Sequence, residues 1–384
     1  MLLSQLIKIK SYSGEEKKIK NFISKWFAKR GIKFINQDEN LVVHIKGKAK
    51  DKALIFNSHM DTVSAGDESL WKHGPFKPTY EGKKLVGLGA SDMKAGLASS
   101  MLFAEYIVKQ GQPPIDLWFT YVVKEEVDGS GTEDFAKWFK SKGWVKKYNE
   151  IAAIFTEPGG LVEIEHGHRG NLFLEVESRG ESGHASRPDK VKTLAVRKMI
   201  KFSDNLLSEA KKWKKKYGKG KFQPPTVGEM TSLWAGVEIK QKLDGKKDLF
   251  IGSTSINKFP AVCKATFDLR TTPEFHDKAF DKVKKIALKT GVKVKLAFPA
   301  APAGYTNPNE KIIQVVKKIV NKPQLTVSQG SADLGFLTEL GIKGIIFGPG
   351  EGNQAHMTNE YCYPEQVDKA VNIYKEILDN WAEE

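Results

Sequence analysis

Short apolar runs alternate with amphipathic stretches through the first part of the chain. The runs have the length of buried strands, and the stretches between them carry apolar residues at the three- and four-residue spacing of helices. Strands that alternate with helices indicate an α/β domain in which helices flank a mixed, mostly parallel sheet. The pattern predicts strands at 41–45, 53–57, 115–123 and 151–156, and helices at 94–109 and 132–142.

A helix is also predicted near the amino terminus. Ser13 and Glu16 stand three positions apart, as in a capping box, where two side chains satisfy the first free backbone N–H groups of a helix. Apolar residues follow at three- and four-residue spacing from 19 to 27, which places them on one helix face. We therefore expect a capped helix here.

From residue 170 the pattern changes to strands with one polar face. Leu172, Leu174 and Val176 alternate with more polar residues, as in a sheet that is wet on one side. The elements predicted here are a strand at 171–178, a helix at 190–213, strands at 232–239 and 253–270, a helix at 275–288 and a strand at 292–298. This order is the split βαβ arrangement of a small, ferredoxin-like α+β domain.

The α/β pattern resumes with a helix at 310–320, a strand at 344–347 and a helix at 365–381. We therefore predict one domain made of 1–169 and 299–384, with a smaller domain at 170–298 inserted into it. A chain of 384 residues exceeds the size at which one hydrophobic core usually stops growing, which also favours two domains.

The charge balance is basic, with 61 Lys and Arg against 46 Asp and Glu and a formal net charge of +15. Such a balance raises the question of an acidic substrate, nucleic acid or a membrane surface as partner. The densest basic run, 211–221, includes Trp213 and Tyr217, and proteins that bind single-stranded nucleic acid interleave basic and aromatic residues in this way. A lysine-rich helix end is the commoner explanation, so we favour it over nucleic-acid binding.

Cysteine content and hydropathy indicate the compartment. Cys263 and Cys362 are too few for a disulfide framework and lack a C-x-x-C spacing. The first twelve residues mix apolar residues with Gln and Lys, unlike a signal peptide, and no apolar stretch has membrane-spanning length. We expect a soluble, cytoplasmic protein with no membrane partner.

Histidine and glutamate residues follow the predicted strands of the first domain. Open α/β sheets bind ligands at the carboxyl ends of their strands, so we expect these side chains to meet in one crevice. His44, His73 and His276 have no such setting, and we assign them no function. The residues at strand ends are His59 after 53–57, Glu125 and Glu126 after 115–123, Glu157 after 151–156, and His356 soon after 344–347.

Imidazole and carboxylate ligands together are typical of sites for zinc and related divalent ions. A site for two such ions needs one carboxylate that bridges them. Asp92, which lies in a glycine-flanked run, is the natural bridge. His59 with Glu157 would complete one metal site, and Glu126 with His356 the other.

Asp61 and Glu125 have other roles in this interpretation. Asp61 lies two residues after His59 and is placed to accept the other imidazole N–H, which would fix the tautomer. Glu125 has no required ligand role once Glu126 has one, so it is the candidate general base. It would take a proton from water and deliver it to the departing amine, which fits hydrolysis of an amide.

The sequence resembles the M20 family of metallopeptidases and deacylases over essentially its whole length. The segments that carry the resemblance are 58–62, 71–76, 87–96, 125–126, 156–158, 167–170 and 348–360. The resemblance implies a cis peptide bond between Asp92 and Met93. It also implies Glu125 as the base, Asp61 as the partner of a ligand, and five metal ligands, which are His59, Asp92, Glu126, Glu157 and His356.

The resemblance gives the inserted domain a role, as a lid that mediates dimerisation and closes over the substrate of a metal-binding catalytic domain. His184 matches a lid histidine that stabilises the oxyanion, and Asn257 matches the lid asparagine. Arg270 matches an arginine that grips the substrate carboxylate by a two-pronged contact. Gly330 and Ser331 resemble a glycine-rich substrate loop.

The resulting hypothesis is a dimeric di-zinc amidohydrolase, with cobalt as a substitute metal, that deacylates a small N-acylated amino acid bearing a free carboxylate. Dipeptidase or carboxypeptidase activity is the alternative within the family. The alternative outside it is a non-catalytic basic protein that binds an acidic macromolecule, against which the complete set of ligands and base argues. Some members of the family release amino acids from an acidic carrier protein, and the run 211–221 would suit such a partner.

Overall fold

The computed structural model of the chain describes residues 1–218, 222, 226–236 and 256–383. They form two compact units, one built from Met1–His168 and Gly304–Glu384 and the other from Arg169–Ala303. Over the described ranges, every helix is too short or too polar to cross a membrane. The assignment of a catalytic role to one domain and a lid role to the other stays a prediction.

Strands in the described residues are numbered in chain order. They are β1 Ile35–Gln37, β2 Asn40–Ile45, β3 Ala49–His59, β4 Thr79–Glu81, β5 Lys84–Val86, β6 Ile115–Val122, β7 Glu150–Phe155, β8 Glu163–His168, β9 Gly170–Arg179, β10 Gly183–His184, β11 Thr226–Gly236, β12 Lys258–Phe259, β13 Val262–Thr271, β14 Val292–Leu296, β15 Gly304–Tyr305, β16 Gln324–Ser328, β17 Lys343–Ile346 and β18 Tyr361–Cys362.

Helices are numbered in the same way. They are α1 Leu2–Ile7, α2 Lys17–Ala28, α3 Lys94–Gln110, α4 Ser130–Ser141, α5 Trp144–Lys147, α6 Ala195–Tyr217, α7 His276–Thr290, α8 Lys311–Ile319, α9 Leu334–Thr338 and α10 Glu365–Glu383. Short 3₁₀ turns lie at Glu68–Leu70, Pro188–Lys190 and Gly352–Gln354.

Nine strands of the first unit form one mixed sheet, in the order β1-β2-β6-β3-β7-β17-β8-β15 with β16 paired to β8. Its central strands β6, β3, β7 and β17 run parallel, and antiparallel pairs lie on either side. Every residue of β6 is buried, as expected for a strand whose two faces are both covered. The predicted α/β class is confirmed.

Aromatic side chains join the helices to the centre of this sheet. Phe103 of α3 and Tyr374 of α10 each have their ring centroid 5.1 Å from that of Phe56 in β3. All three side chains are fully buried, and burial of a large apolar side chain contributes about 1.5–3 kcal/mol to folding. The packing fixes α3 and α10 against the strand that ends at His59.

The start of α3 lies unusually close to the end of β7. A Cβ atom at Gly96 would lie 1.8 Å from the carbonyl oxygen of Thr156, so only glycine fits. This contact brings the segment that carries Asp92 beside the segment that carries Glu157.

Four described strands of the second unit form an antiparallel sheet in the order β11-β13-β9-β14. Helices α6 and α7 pack on it, and their buried residues share one core with the strands. Phe202 of α6, for example, has its ring 5.6 Å from that of Phe267 in β13. The chain order β9, α6, β11, β13, α7, β14 confirms the predicted ferredoxin-like arrangement.

Two local predictions are wrong. The strand predicted at 253–270 is broken, because Ile256 and Asn257 form a turn and Pro260, which has no N–H to donate to a ladder, separates β12 from β13. Residues 253–255 of that prediction, and 237–239 of the preceding one, lie outside the described residues. The predicted capping of α2 is not made either, because the hydroxyl of Ser13 bonds to Asp61 instead.

Candidate metal centre

The candidate ligands of the first unit lie at or just after the carboxyl ends of neighbouring strands. His59 is the last residue of β3, Glu126 lies four residues after β6, and Glu157 lies two residues after β7. Because these parallel strands are neighbours, their carboxyl ends share one edge of the sheet. The structure brings these side chains together with Asp92 and His356, and their roles as ligands stay predictions.

Asp92 presents its two carboxylate oxygens to different imidazoles. His59 Nε2 lies 3.1 Å from Asp92 Oδ1, and His356 Nε2 lies 3.6 Å from Asp92 Oδ2. Glu157 Oε1 lies 3.4 Å from His59 Nε2, and Glu126 Oε2 lies 2.8 Å from His356 Nε2. His59 therefore faces Glu157, His356 faces Glu126, and both imidazoles face Asp92.

The donor set fits two divalent cations. In each of the two groups, one imidazole nitrogen and two carboxylate oxygens lie within 4.8 Å of one another. Oε1 of Glu126 is buried without a hydrogen-bond partner, and a buried orphan acceptor of this kind is explained by an ion or water. Imidazole and carboxylate donors without cysteine are a combination that zinc and related ions accept.

The pKa shifts of these residues also favour bound cations. Burial raises the pKa of the Glu157 carboxyl to about 7, against the charge of His59. Burial also acts to raise the pKa of Asp92, but the hydrogen bond and charge of His59 outweigh it and lower that pKa. The hydrogen bond to Glu126 raises the pKa of His356 to about 9. Several carboxylates held together away from water disfavour full ionisation, and bound cations relieve that cost.

Asp61 fixes both an imidazole and the turn after β6. The backbone oxygen of Asp61 lies 3.0 Å from His59 Nδ1, and its Oδ1 lies 3.4 Å from the same nitrogen, so Nδ1–H points at residue 61 and Nε2 is left for a ligand role. The Asp61 carboxylate also accepts the Ser13 hydroxyl at 2.7 Å and the backbone N–H groups of Glu125 and Glu126 at 3.2 Å each.

Glu125 is held in a setting that suits proton transfer. Burial raises the pKa of its carboxyl well above the usual range, and the charge of Asp333 raises it further. Asp333 is itself buried and accepts a hydrogen bond of 2.5 Å from the Thr132 hydroxyl. A raised pKa makes a carboxylate a stronger proton acceptor, which suits a general base.

Comparison with known proteins shows which family the chain belongs to. The model of peptidase family M20/M25/M40 matches residues 55–380. The chain belongs to this family. The predicted resemblance is thereby confirmed, and membership makes the chain a hydrolase of amide or peptide bonds.

Individual relatives of this M20 chain cover most of its length. A succinyl-diaminopimelate desuccinylase of Pelagibacter ubique is 29% identical and covers 85% of this chain and 82% of its own length. One of Cereibacter sphaeroides is 25% identical, over 89% of this chain and 87% of its own. An M20 family metallo-carboxypeptidase of Sulfolobus solfataricus shares the fold, with a TM-score of 0.75, 20% identity and coverage of 100% and 98%.

Sequence reasoning about this M20 chain missed three residues that support the site. Ser13 was expected to cap a helix, Asp333 was placed only within the run that resembles the substrate loop, and Glu360 was given no role. Asp333 ends that run, 330–333, and its place there is the signal that pointed to it. Glu360 accepts the backbone N–H groups around Asp92, and its place four residues after His356 does not reveal that contact. The bond between Asp92 and Met93 is cis, as the resemblance implied.

The candidate substrate loop of the M20 chain lies in the first unit. Gly330 is exposed, and its N–H donates to the hydroxyl of Ser328 at 3.0 Å. Ser331 is half-buried, and the N–H of Gly335 further along donates to His168 Nε2 at 3.1 Å. These contacts fix the backbone of the loop, and its substrate role stays a prediction.

His184 and Asn257 lie together in the second unit. His184 pairs with Lys258 across β10 and β12, and the N–H of Ala185 donates to the carbonyl oxygen of Asn257 at 2.7 Å. His184 is exposed, and its Nδ1 lies 2.8 Å from the Ser186 hydroxyl. His184 and Asn257 therefore lie in one local feature, and their roles toward a substrate stay predictions.

Arg270 lies in β13 of the second unit. Its Nε is 2.9 Å from Asp268 Oδ1, and its guanidinium lies over the ring of Phe173 at 5.6 Å from the centroid. These contacts orient the guanidinium. Its role in gripping a carboxylate stays a prediction.

Proposed function

We propose that this chain is a di-zinc amidohydrolase that removes the acyl group from a small N-acylated amino acid. The observation that supports the proposal most is the position of Asp92 between His59 and His356, with one carboxylate oxygen toward each. Glu157 and Glu126 add one carboxylate on either side. A shared carboxylate is what two divalent ions about 3.5–4 Å apart require.

Different residues of the chain would bind the metals, transfer the proton and position the base. Zinc, or cobalt in its place, would polarise the amide carbonyl and make water nucleophilic at neutral pH when held by the five ligands. Glu125 removes a proton from the attacking water and passes it to the departing amine, and its raised pKa suits both steps. Asp61 positions Glu125 through the backbone N–H.

For the substrate, we propose an N-acetyl or N-succinyl amino acid with a free carboxylate. The curated relatives named above are desuccinylases, which favours removal of an acyl group. Arg270 would grip the substrate carboxylate and His184 would stabilise the oxyanion. Asn257 and the loop at Gly330 and Ser331 would contact the rest of the substrate.

The test is a substrate screen of the zinc- or cobalt-loaded protein against N-acetyl amino acids, N-succinyl amino acids and simple dipeptides. We expect hydrolysis of the acylated amino acids. Preference for dipeptides would replace the deacylase with the peptidase alternative. A protein that binds both metals and hydrolyses none of these substrates would contradict the proposed substrate class.

Replacement of Glu125, the proposed general base, makes this test more specific. Glu125→Gln should lower kcat by about 10²–10⁴-fold because the proton acceptor is lost, while bound metal is unchanged. Glu133→Gln is the control, since among the described residues the ion pair of Glu133 is with Lys137 on α4 at 2.7 Å, and its loss should leave kcat unchanged. Full activity of the Glu125 variant would remove the proposed base.

We also propose a cytoplasmic homodimer formed through the second unit. In the described part of the sheet β11 is an edge strand, and its Leu233 and Trp234 are 47% and 58% exposed. Exposed apolar side chains on an edge strand are typical of an interface. Trp234→Lys should shift the mass in solution from dimer to monomer, and a wild-type monomer would contradict the proposal.

An acidic carrier protein is the macromolecular partner that the charge distribution supports. Helix α6 carries eight basic and two acidic side chains and α7 carries five and two, so these helices hold +9 of the formal +15. Trp213 is buried, and Tyr217 packs its ring 4.9 Å from that of Phe275, so neither aromatic is offered for base stacking. Lys219 and Lys221 lie outside the described residues.

Binding of a poly-glutamate peptide tests this partner. Affinity should fall steeply between low and physiological salt, because exposed charges are screened. Lys282→Glu combined with Lys285→Glu should weaken binding, whereas Lys343→Glu in the first unit should not. Salt-independent binding, or tighter binding of single-stranded DNA, would contradict an acidic protein partner.

A further inference from the structure

Glu360 anchors the loop that carries Asp92. Its side chain is buried, and Oε1 accepts the backbone N–H groups of Ser91 at 2.6 Å and Asp92 at 2.8 Å. Oε2 accepts the N–H of Gly89 at 2.8 Å. One carboxylate therefore satisfies three backbone donors within four residues, and loss of such an acceptor would leave buried N–H groups without a partner.

The same residue ties this loop to the one that carries His356. Glu360 lies four residues after His356, and its backbone carbonyl accepts the N–H of Gly87 at 2.9 Å. Next to it, the side chain of Asn359 accepts the N–H of Lys72 at 2.8 Å. The segment after His356 is thus fixed to the segment before Asp92 through both the main chain and a side chain.

Lys94 is a second buried group that holds this loop. It is fully buried in the first turn of α3, its Nζ donates to the carbonyl oxygen of Ile9 at 2.9 Å, and it interacts electrostatically with Glu360. Its backbone N–H donates to Gly89 in the loop at 2.8 Å. These two hydrogen bonds tie the start of α3 to the segment at Ile9 and to the loop that carries Asp92.

We propose that Glu360 is a positioning residue that sets the separation of Asp92 and His356, and through it the separation of the two metal sites. It touches neither substrate nor the reacting atoms. The inference rests on the proposed function, since it takes Asp92 and His356 as ligands. Groups that orient metal ligands typically change metal affinity or activity by about 10–100-fold when they are replaced.

The decisive variant is Glu360→Gln, which keeps the shape but turns an N–H donor toward one of the three backbone N–H groups. The measurement is zinc affinity of the purified full chain by chelator competition, together with the melting temperature of the metal-free protein. We expect the weaker of two zinc affinities to fall about 10–100-fold. We also expect kcat to fall with KM little changed.

Asp116→Asn is the matched control. Asp116 is also a buried carboxylate that accepts a backbone N–H, from Gly47 at 2.8 Å, but it lies at the opposite end of β6 from the candidate ligands. This variant should lower the melting temperature and leave both zinc affinities unchanged. A general loss of stability is thereby separated from a loss of ligand geometry.

Glu360→Asp keeps the inference testable if the glutamine variant does not fold. It retains a carboxylate that can accept the backbone N–H groups but is shorter by one methylene, so we expect a zinc affinity between those of the wild type and the glutamine variant. Wild-type zinc affinities in either Glu360 variant would overturn the positioning role. A wild-type chain that binds no zinc would overturn the proposed function itself, which is a different result.

Discussion

Ser13 donates a hydrogen bond of 2.7 Å from its hydroxyl to Oδ2 of Asp61, 48 positions later in the chain. The same carboxylate accepts the backbone N–H groups of Glu125 and Glu126. The segment before α2 therefore supports the candidate base through one intermediary. No spacing in the sequence indicates this relationship.

Replacement of Ser13 should reduce catalysis without unfolding the chain. Ser13→Ala removes one hydrogen bond to a buried carboxylate, which is worth about 0.5–1.5 kcal/mol for a typical bond, so we expect kcat to fall about two- to tenfold. Ser24→Ala is the control, because that hydroxyl donates within α2, to the carbonyl oxygen of Lys20 at 2.9 Å. Steady-state kinetics check this, and equal effects of both variants would contradict it.

Gly96→Ala should destabilise the chain and weaken metal binding together. The added Cβ would collide with the Thr156 carbonyl oxygen and force α3 away from β7, at a cost of about 1–3 kcal/mol or more. Gly352→Ala is the control, since its Cβ would lie 3.4 Å from Pro158, an ordinary contact. Thermal melts with and without zinc measure both effects, and a Gly96 variant as stable as the control would contradict the close packing.

The stability of the first unit should depend on Asp116 in a pH-dependent way. Burial acts to raise the pKa of Asp116, but the hydrogen bonds from Lys147 and Tyr148 outweigh it and lower that pKa. A folded-state pKa below the unfolded value of about 3.9 stabilises the native state above that pH, and this contribution is lost as the pH falls through the folded value.

Melting curves at several pH values test this. Asp116→Asn should melt well below the wild type at pH 7, and the difference should shrink as the pH falls below about 4. Asp281→Asn, which removes an exposed ion pair with Lys284, should melt like the wild type. A constant difference between pH 7 and pH 3 for the Asp116 variant would show that its charge is not responsible.

Metal removal should abolish activity and lower stability reversibly. A chelator-treated chain should lose hydrolysis and recover it with two equivalents of zinc per chain, and the melting temperature should rise on reloading because the ligand binds the folded state. His356→Ala should bind one zinc less. His166→Ala is the control, since His166 Nδ1 donates to the carbonyl oxygen of Thr306 at 2.8 Å and His166 belongs to neither group of candidate ligands. Two tightly bound zinc ions in the His356 variant would remove it from the ligand set.

The sequence predicted most of the fold because its strands and helices have clear periodicity. It failed where one residue interrupts a good pattern, as Pro260 does between β12 and β13. The sequence also shows no partner for His44. In the structure its ring stacks on that of Trp118, with 3.8 Å between the ring centroids, and its Nε2 lies 3.2 Å from Asp116 Oδ2. Contacts across a sheet depend on which strands pair, and the periodicity of one strand does not predict its neighbours in a mixed sheet.

Periodicity along the chain was enough to predict the α/β and ferredoxin-like patterns. It also predicted the convergence of His59, Glu126, Glu157 and His356, because parallel strands put their carboxyl ends at one edge of a sheet. The folded structure was needed to show how Asp92 divides its two oxygens between the imidazoles. It also decided which buried groups hold the loops in place, as Glu360 does. The physical reason is that periodicity shows only which face of a helix or strand a residue lies on. Hydrogen bonds of about 3 Å join loops that are far apart in the sequence, and no pattern in the sequence shows which loops will meet.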